Sequence, residues 1–528
     1  MSQTPTTKAS ESPQHPDLLI DDADFPGAAR ELAKRFAADG RLLCRGRAPV
    51  KVIQIGGRPV VQNLGHVAIV SEAHQICRPV IKKLQRGVVS LQPKTLPIAV
   101  AKLFAEIPAE WNFRALKGMC FGPILRASGE IRLEAGYDEE TGLWCAGTAP
   151  VGVPESPSDE EAKGALALLR FVFATFPFAD RRTDAEGLRV DVALPPGGDE
   201  SAFLVAVLTA LCRPSLPLAP AILIRAPALS GAGTGKGLLI RALANIATGE
   251  SPRAFTSGAD RAELDKRLAA SLVEAEALIF LDNVNGTTLR SDLLAQVITE
   301  NPCSMRLLGR TQMVQLETRA VICVTGNAID VSEDLARRFI IVGLDAKLEN
   351  PELRRFDGRF LDTIRERRSE LMSAALTIWR WGRKKELPRG LPLGSFEAWA
   401  RWVRDPLLAL GCVDPVTRIE EIKRDDPERR QAVEFLMAWR AEYGDRPVTV
   451  AEMHDDLRGL VGARGATRQA MAQYVNRLLN TRIAAFHLIR QTHGKWGASR
   501  YILQADEGAL SGRGSLAATT RSAMIEKA

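Results

Sequence analysis

The chain has no long apolar run. None of its 528 residues lies in a stretch approaching the ~20 unbroken apolar positions that cross a bilayer. That excludes a helical membrane protein. The first residues, Met1 to Pro16, are rich in Thr, Ser, Pro and Gln and lack the apolar core of a signal peptide. The eight cysteines, at 44, 77, 120, 145, 212, 303, 323 and 412, are scattered and form no C-x-x-C pair. A zinc ribbon is thereby disfavoured, and reduced thiols in a cytoplasm are expected. Paired carboxylates for a two-metal priming centre are missing too. Asp21, Asp22 and Asp24 cluster near the start, but no histidine or second acidic group at a strand end joins them. They read as solvated loop acids, and His66 and His74 as ordinary polar residues. Charge is not strongly one-sided: net +7 with a pI near 9.0 mildly favours a polyanionic partner.

What is present centres on Ile222 to Leu239. This stretch reads as a short apolar strand, a glycine-rich loop (Ser230-Gly231-Ala232-Gly233-Thr234-Gly235-Lys236-Gly237) and the start of a helix at Leu238. Glycines let consecutive backbone N–H groups turn inward around an anion, a lysine adds positive charge for the outer phosphates, and the helix N-terminus faces them. The pattern G-x-x-x-x-G-K-[ST] is met except at its ends. Ser230 stands at the first glycine and Gly237 at the Mg2+-binding hydroxyl. Thr234 is a nearby hydroxyl on the wrong side of Lys236 for that role. The plain alternative is a flexible Gly/Ala strand–helix turn.

The order of the downstream segments favours the phosphate loop. Ala277 to Asn285 is an apolar run from which Asp282 emerges, as at the C-terminal end of a buried parallel strand, where it would hold Mg2+ through water. Ala320 to Asn327 is a second such run ending in an amide suited to orienting an attacking water. Asp334-Leu335-Ala336-Arg337-Arg338-Phe339 offers two arginines, one of which would reach a neighbouring subunit's nucleotide as an arginine finger. Met305 to Glu317 alternates like a hairpin turning near Gly309 and Arg310. Arg306 and Arg310 would touch DNA in a ring's channel, or else stay solvated on a core hairpin.

Six segments are expected: a disordered tail (1–20), a mixed α/β N-terminal module (21–160), a helical lead-in with the P-loop core (161–350), a helical lid and linker (351–424), a winged helix (425–505) and a flexible tail (506–528). In the module, strands are expected at Leu42–Cys44, Val50–Ile55 and Pro59–Gln62, and a hairpin around Gly136 to Leu143. Helices are expected at Ala162–Phe176, Glu200–Cys212, Ala262–Glu276 and Leu289–Glu300. Leu361 to Trp381 reads as one long helix, and Ser395 as the cap of another. Trp379, Trp381, Trp399 and Trp402 read as core anchors. In the last segment, helices are expected from Arg429 to Tyr443, opening at Val448, and from Thr467 to Arg482 with Met471, Val475, Leu478 and Leu479 inward. Two strands close it. Outward Arg468, Gln469, Gln473, Asn476 and Arg477, with Lys495 and Arg500 of the wing, would meet phosphates or base edges; a winged helix serving protein contacts is the alternative.

The block from Ala226 to Phe356 resembles the AAA+ cores of superfamily 3-type replicative helicases of phages, plasmids and integrative elements, including the ATPase half of primase–helicases. Gly231 to Gly237, Phe280 to Asn283, Val324 to Asn327 and Asp334 to Phe339 carry the likeness, with Leu344-Asp345 and Glu349 to Arg354. The resemblance implies a homohexameric ring, ATP and Mg2+, translocation on DNA and contacts with the element's other replication proteins. In that frame Lys236, Asp282, Asn327, Arg337 and Arg338 are the catalytic candidates, Ser230 to Leu238 bind nucleotide, and Asp282 meets the metal. Gly237 and Asn283, where many relatives carry a hydroxyl and a second acid, keep a different outcome open: a DNA-binding switch or loader that binds ATP without unwinding.

Overall fold

The computed structural model describes residues 15–85, 87–148, 152–187, 189–228, 230–256, 261–285, 288–306, 313–353, 358–419, 427–461, 467–491 and 499–505. It is a mixed α/β protein of two compact units. One comprises Met1–Ile329 and Arg337–Val416, the other Asp330–Ala336 and Thr417–Ala528.

The N-terminal module of the first unit is sheet-rich. Leu43–Arg45, Ala48–Ile55 and Arg58–Asn63 form consecutive antiparallel strands, close to the expected positions. A helix, Phe25–Asp39, begins where the Asp24 carboxylate accepts from Gly27 N at 2.8 Å. Asp22 pairs with Lys94 at 2.7 Å. These acids are therefore a cap and a surface ion pair. One expectation fails here. Asp17–Leu19, placed in a disordered tail, is a strand parallel to Arg78–Gln85, because Leu18 finds a fully buried seat. The hairpin Gly136–Asp138 with Leu143–Cys145 forms as expected. Asp138 sits buried beneath it, bound by Arg126 at 2.7 Å, Thr141 Oγ1 at 2.5 Å and Arg132. Arg45, also buried, donates to the Leu116, Leu272 and Val273 carbonyls, which ties the module to the central layer of the unit.

The central layer is a five-stranded parallel sheet. Its elements are α1 (Gly198–Cys212), β1 (Ala221–Ala226), α2 (Lys236–Thr248), β2 (Ala254–Thr256), α3 (Arg261–Val273), β3 (Leu278–Asp282), α4 (Asp292–Thr299), β4 (Val321–Asn327) and β5 (Phe339–Gly343). The spatial order is β2-β3-β4-β1-β5. Central strands of such a sheet are covered on both faces and read as unbroken apolar runs. Ile222, Leu223, Ile224, Ile279, Phe280, Leu281, Cys323 and Val324 are all fully buried. Helix α1 is buried along its whole length; its first amides are held by Asp180, and its Asp199 accepts from Gly343 N at 2.6 Å. The helix before it, Asp159–Phe173, starts earlier than apolar spacing alone indicates, because Ser158 and Glu161 form a reciprocal capping box.

The lid departs from expectation twice. Instead of one helix there are two, α5 (Phe360–Glu366) and α6 (Arg368–Arg383), broken at Arg367 with φ −91° and ψ 10°. Ser395 is not a cap: it lies at φ +73°, and Glu397–Trp399 begins without a side-chain cap before passing into a π-helical turn at Ala400–Arg404. The four tryptophans are buried as core anchors; the Trp399 indole donates to Thr209 of α1 at 2.9 Å and that of Trp381 to Asp159 at 2.8 Å.

In the second unit, α7 (Pro427–Tyr443), α8 (Asp455–Gly459) and α9 (Arg468–Leu478) pack with a three-stranded antiparallel sheet of β6 (Arg482–Ile483), β7 (Phe486–Gln491) and β8 (Arg500–Ala505). No helix opens at Val448. That residue bridges Tyr501 through paired backbone hydrogen bonds of 2.9 and 2.8 Å, and Thr449 caps only a short 3-10 turn, Val450–Glu452. Helix α9 stops before Arg482, which belongs to β6. Its inward face is Met471, Tyr474, Val475 and Leu478, with Leu479 only half-buried.

Candidate functional site

The candidate site lies at the C-terminal edge of the parallel sheet, where β1, β3 and β4 end side by side. Brought together there are the loop 230–237, Asp282 as the last residue of β3 and Asn327 as the last of β4. The physical reason is register. Ala226 of β1 pairs with Asn327, and Leu281 of β3 pairs with Val324 of β4, so three chain segments far apart in sequence end within one cleft. The C-terminal edge of an open parallel sheet is where α/β folds present ligand-binding loops.

The loop has the backbone its glycines permit. Gly233 and Gly235 sit at φ +69° and +96°, a region that L side chains rarely occupy. Gly235 leads directly into α2, whose first residue is Lys236. The lysine is buried. Its Nζ donates to Gly231 O at 2.7 Å and approaches Thr234 Oγ1 at 3.4 Å, while Thr234 Oγ1 donates to the same carbonyl at 2.9 Å. Thr234, fully buried, thus braces the loop from inside. Burial pushes the Lys236 ammonium below its ordinary value, and the nearby Asp282 charge pulls it back up. Among the described residues no carboxylate lies within ion-pair distance of it. A buried cation with only neutral oxygens for partners is suited to seat an anion.

Asp282 is held by a residue that motif reading passed over. Thr325 Oγ1 donates to Asp282 Oδ1 at 2.5 Å, and the Asn283 amide donates to the same hydroxyl at 3.3 Å. Thr325 lies two residues before Asn327, on the same face of β4; strand alternation carried that signal. Asn283, the residue in place of a second acid, is exposed at φ +58°. The Asn327 amide nitrogen of the backbone donates to Asn285 Oδ1 at 2.7 Å, and its side-chain oxygen is a buried acceptor without a partner. Such an orphaned acceptor beside the loop is unusual for a merely structural residue.

Among the described residues no three His, Cys, Asp or Glu side chains gather to hold a metal ion. One oriented carboxylate next to an anion seat suits Mg2+, which keeps most of its waters and takes further oxygens from phosphates. The residues present therefore fit a nucleoside triphosphate with Mg2+.

No protein-family model matches the chain, and a comparison with curated proteins finds no match. Among solved structures, the chain is similar to the apo C-terminal region of NrS-1 at 12% identity and TM-score 0.35, over 90% of this chain and 98% of that one. It is also similar to the JCV helicase at 15% identity and TM-score 0.21, over 52% of this chain and 69% of that one. Likenesses this loose carry no argument about mechanism.

The two finger candidates are placed differently. The Arg338 guanidinium is turned into its own subunit, donating to the Ala295 carbonyl and to Thr299 Oγ1 of α4, the latter at 2.7 Å. Arg337 is exposed. Arg306 ends the strand Cys303–Arg306, paired antiparallel with Met313–Leu316 and exposed. Arg310 lies outside the described residues. In the second unit Arg468, Gln469, Gln473, Asn476 and Arg477 are all exposed on one side of α9, with the Arg477 guanidinium 5.1 Å above the Tyr474 ring. Arg500 is exposed at the start of β8; Lys495 lies outside the described residues. No described helix is long and apolar enough to cross a membrane, and all eight cysteines are free thiols.

Proposed function

We propose that this protein is a P-loop AAA+ ATPase that assembles as a homohexameric ring, moves along DNA and unwinds it during replication of a mobile element or prophage. The observation that carries the reading is the convergence of Lys236, Asp282 and Asn327 at the adjacent ends of β1, β3 and β4 in a sheet ordered β2-β3-β4-β1-β5. ATP with Mg2+ supplies the phosphoanhydride and a cation that neutralises charge on the phosphates.

In this reading the chain's own residues have separate tasks. The amides of 230–237 and the start of α2, through Leu238, cradle the phosphates, and Lys236 adds a fixed positive charge. Asp282, aimed by Thr325, accepts from the metal's water shell. Asn327 orients the attacking water with its unspent amide oxygen. Arg337 of one subunit completes the neighbour's site as the finger. Arg306 and Arg310 contact DNA, as do Arg468, Gln473, Arg477, Lys495 and Arg500 of a winged-helix unit, which meet phosphates or base edges. A cytoplasmic site of action and contacts with the element's other replication proteins complete the proposal.

Gly237 and exposed Asn283 favour a second reading, an ATP-binding switch or loader that does not unwind. Unwinding of a forked DNA by the wild type and by Lys236→Ala separates them. A motor unwinds, and the variant does not. A switch binds ATP and DNA and unwinds nothing in either form.

A further inference from the structure

Gly237 looks like a defect in the phosphate loop until the space above it is considered. A Cβ at this position would lie 2.7 Å from Nη1 and 3.8 Å from Cζ of Arg241, and 3.9 Å from Asp282 Oδ1. The place from which a serine or threonine hydroxyl would project is already in contact with a guanidinium. Arg241 is four residues further along α2, so the helix sets both on one face. Its Nη2 stands 3.9 Å from Asp282 Oδ2, and its Cζ lies 5.7 Å above the Phe280 ring. The aromatic face lies within cation–π range of the guanidinium. At 3.9 Å the carboxylate attracts it without taking up its N–H groups, and among the described residues no hydrogen-bond partner occupies them. Lys236, Arg241 and Asp282 together carry a net charge of +1 facing the loop.

We propose that Arg241, lying across Gly237 and beside Asp282, takes over part of the metal's work, so that the loop binds nucleoside triphosphate with unusually little dependence on divalent cation. This rests on the loop being a nucleotide site. An ordinary phosphate loop commits a hydroxyl to Mg2+ and needs the metal to offset the phosphates' charge. Here a permanently charged group with five N–H donors stands in that space, and its planar fork matches phosphate oxygens. Glycine at 237 leaves that space to the guanidinium, and a side chain there would push the flexible end of Arg241 aside. Arg241 acts as a binding residue for the phosphates, and Phe280 and Gly237 as its positioning residues.

The test is equilibrium binding of a fluorescent ATP analogue to the full chain, in Mg2+ and in EDTA. Wild type should lose less than about tenfold in affinity when Mg2+ is removed. Arg241→Ala should weaken binding in both conditions, by at least tenfold more in EDTA than in Mg2+, the scale of one charge-assisted contact. Arg241→Lys should recover part of that loss. Gly237→Ser, which restores the common motif and pushes the guanidinium aside without removing it, should make binding metal-dependent; it also serves if Arg241→Ala does not fold. Wild type that binds in Mg2+ but not in EDTA, or an Arg241→Ala and Gly237→Ser pair that binds in EDTA as wild type does, overturns the assignment and leaves the nucleotide site standing. Wild type that binds in neither condition overturns both.

Discussion

Thr325 Oγ1 donates to Asp282 Oδ1 across 2.5 Å, linking the ends of two neighbouring strands. The hydroxyl also accepts from the Asn283 amide, so its proton has one place to go, and the carboxylate's second oxygen stands 3.9 Å from Arg241 Nη2. Partners behind a metal-binding carboxylate fix its direction, and losing one typically costs about 10–100-fold in metal affinity. Thr325→Val keeps the shape and removes the donor. Mg2+ affinity of the nucleotide-bound protein, followed by titration of ATPase activity with Mg2+, should fall about tenfold. Nucleotide affinity in EDTA should stay unchanged.

The two arginines after β4 should separate by assay. Arg338 is fastened to α4 through Ala295 and Thr299, so Arg338→Ala should lower the melting temperature, with a cost of about 1–3 kcal/mol for charge-assisted hydrogen bonds. Arg337→Ala should leave nucleotide affinity untouched and still abolish steady-state ATP hydrolysis. Mixing Arg337→Ala subunits with Lys236→Ala subunits should recover some hydrolysis, because the former keep intact loops and the latter intact fingers. No recovery at any mixing ratio would remove Arg337 from the shared site.

Asp138 makes the N-terminal module sensitive to acid. Burial alone raises its carboxyl, but the Thr141 hydroxyl and the Arg126 guanidinium outweigh it and hold the group at about 2, against an ordinary 3.8. A depressed carboxyl contributes stability that is complete above the unfolded value and is lost as pH falls from about 4 towards 2. The contribution is about 2 kcal/mol. Thermal unfolding between pH 7 and pH 3 should therefore show a loss that is largely missing in Asp138→Asn. The variant itself should be less stable at neutral pH by about 3 kcal/mol, since Arg126 and Arg132 are deprived of a buried partner.

Binding of DNA by the second unit should be electrostatic and independent of nucleotide. Replacing Arg468 and Arg477 with alanine should weaken duplex binding across sequences and lower the slope of log affinity against log salt by about one for each phosphate no longer neutralised. Gln473→Ala should leave the salt slope unchanged. A salt slope identical in wild type and the double arginine variant would show that α9 does not meet the phosphates.

Much was legible along the chain because local chemistry wrote it there. The apolar runs ending at Ala226, Asp282 and Asn327 announced buried parallel strands, since such strands are covered on both faces. Gly233 and Gly235 announced a loop needing positive φ. The exposed polar stripe and buried stripe of α9 followed from helical spacing. Some local features still deceived. Ser395 has a capping residue's chemistry but lies at φ +73°, and Val448 has helix-opening neighbours but is captured by Tyr501 through two backbone hydrogen bonds. Long-range pairing outweighed local preference at Val448, and the backbone conformation at Ser395 ruled out a cap there.

By itself the sequence determined which residues carry charge, which loop has the glycines for a positive-φ turn and which strands are buried, because these depend on neighbours a few positions away. Only the tertiary structure decided that Thr325 aims Asp282, that Arg338 is spent inside its own subunit and that Arg241 fills the space above Gly237. Those relationships arise from strand register and helix placement, which join residues as far apart along the chain as 282 and 325. No local pattern encodes a distance across a sheet; packing of the whole domain sets it.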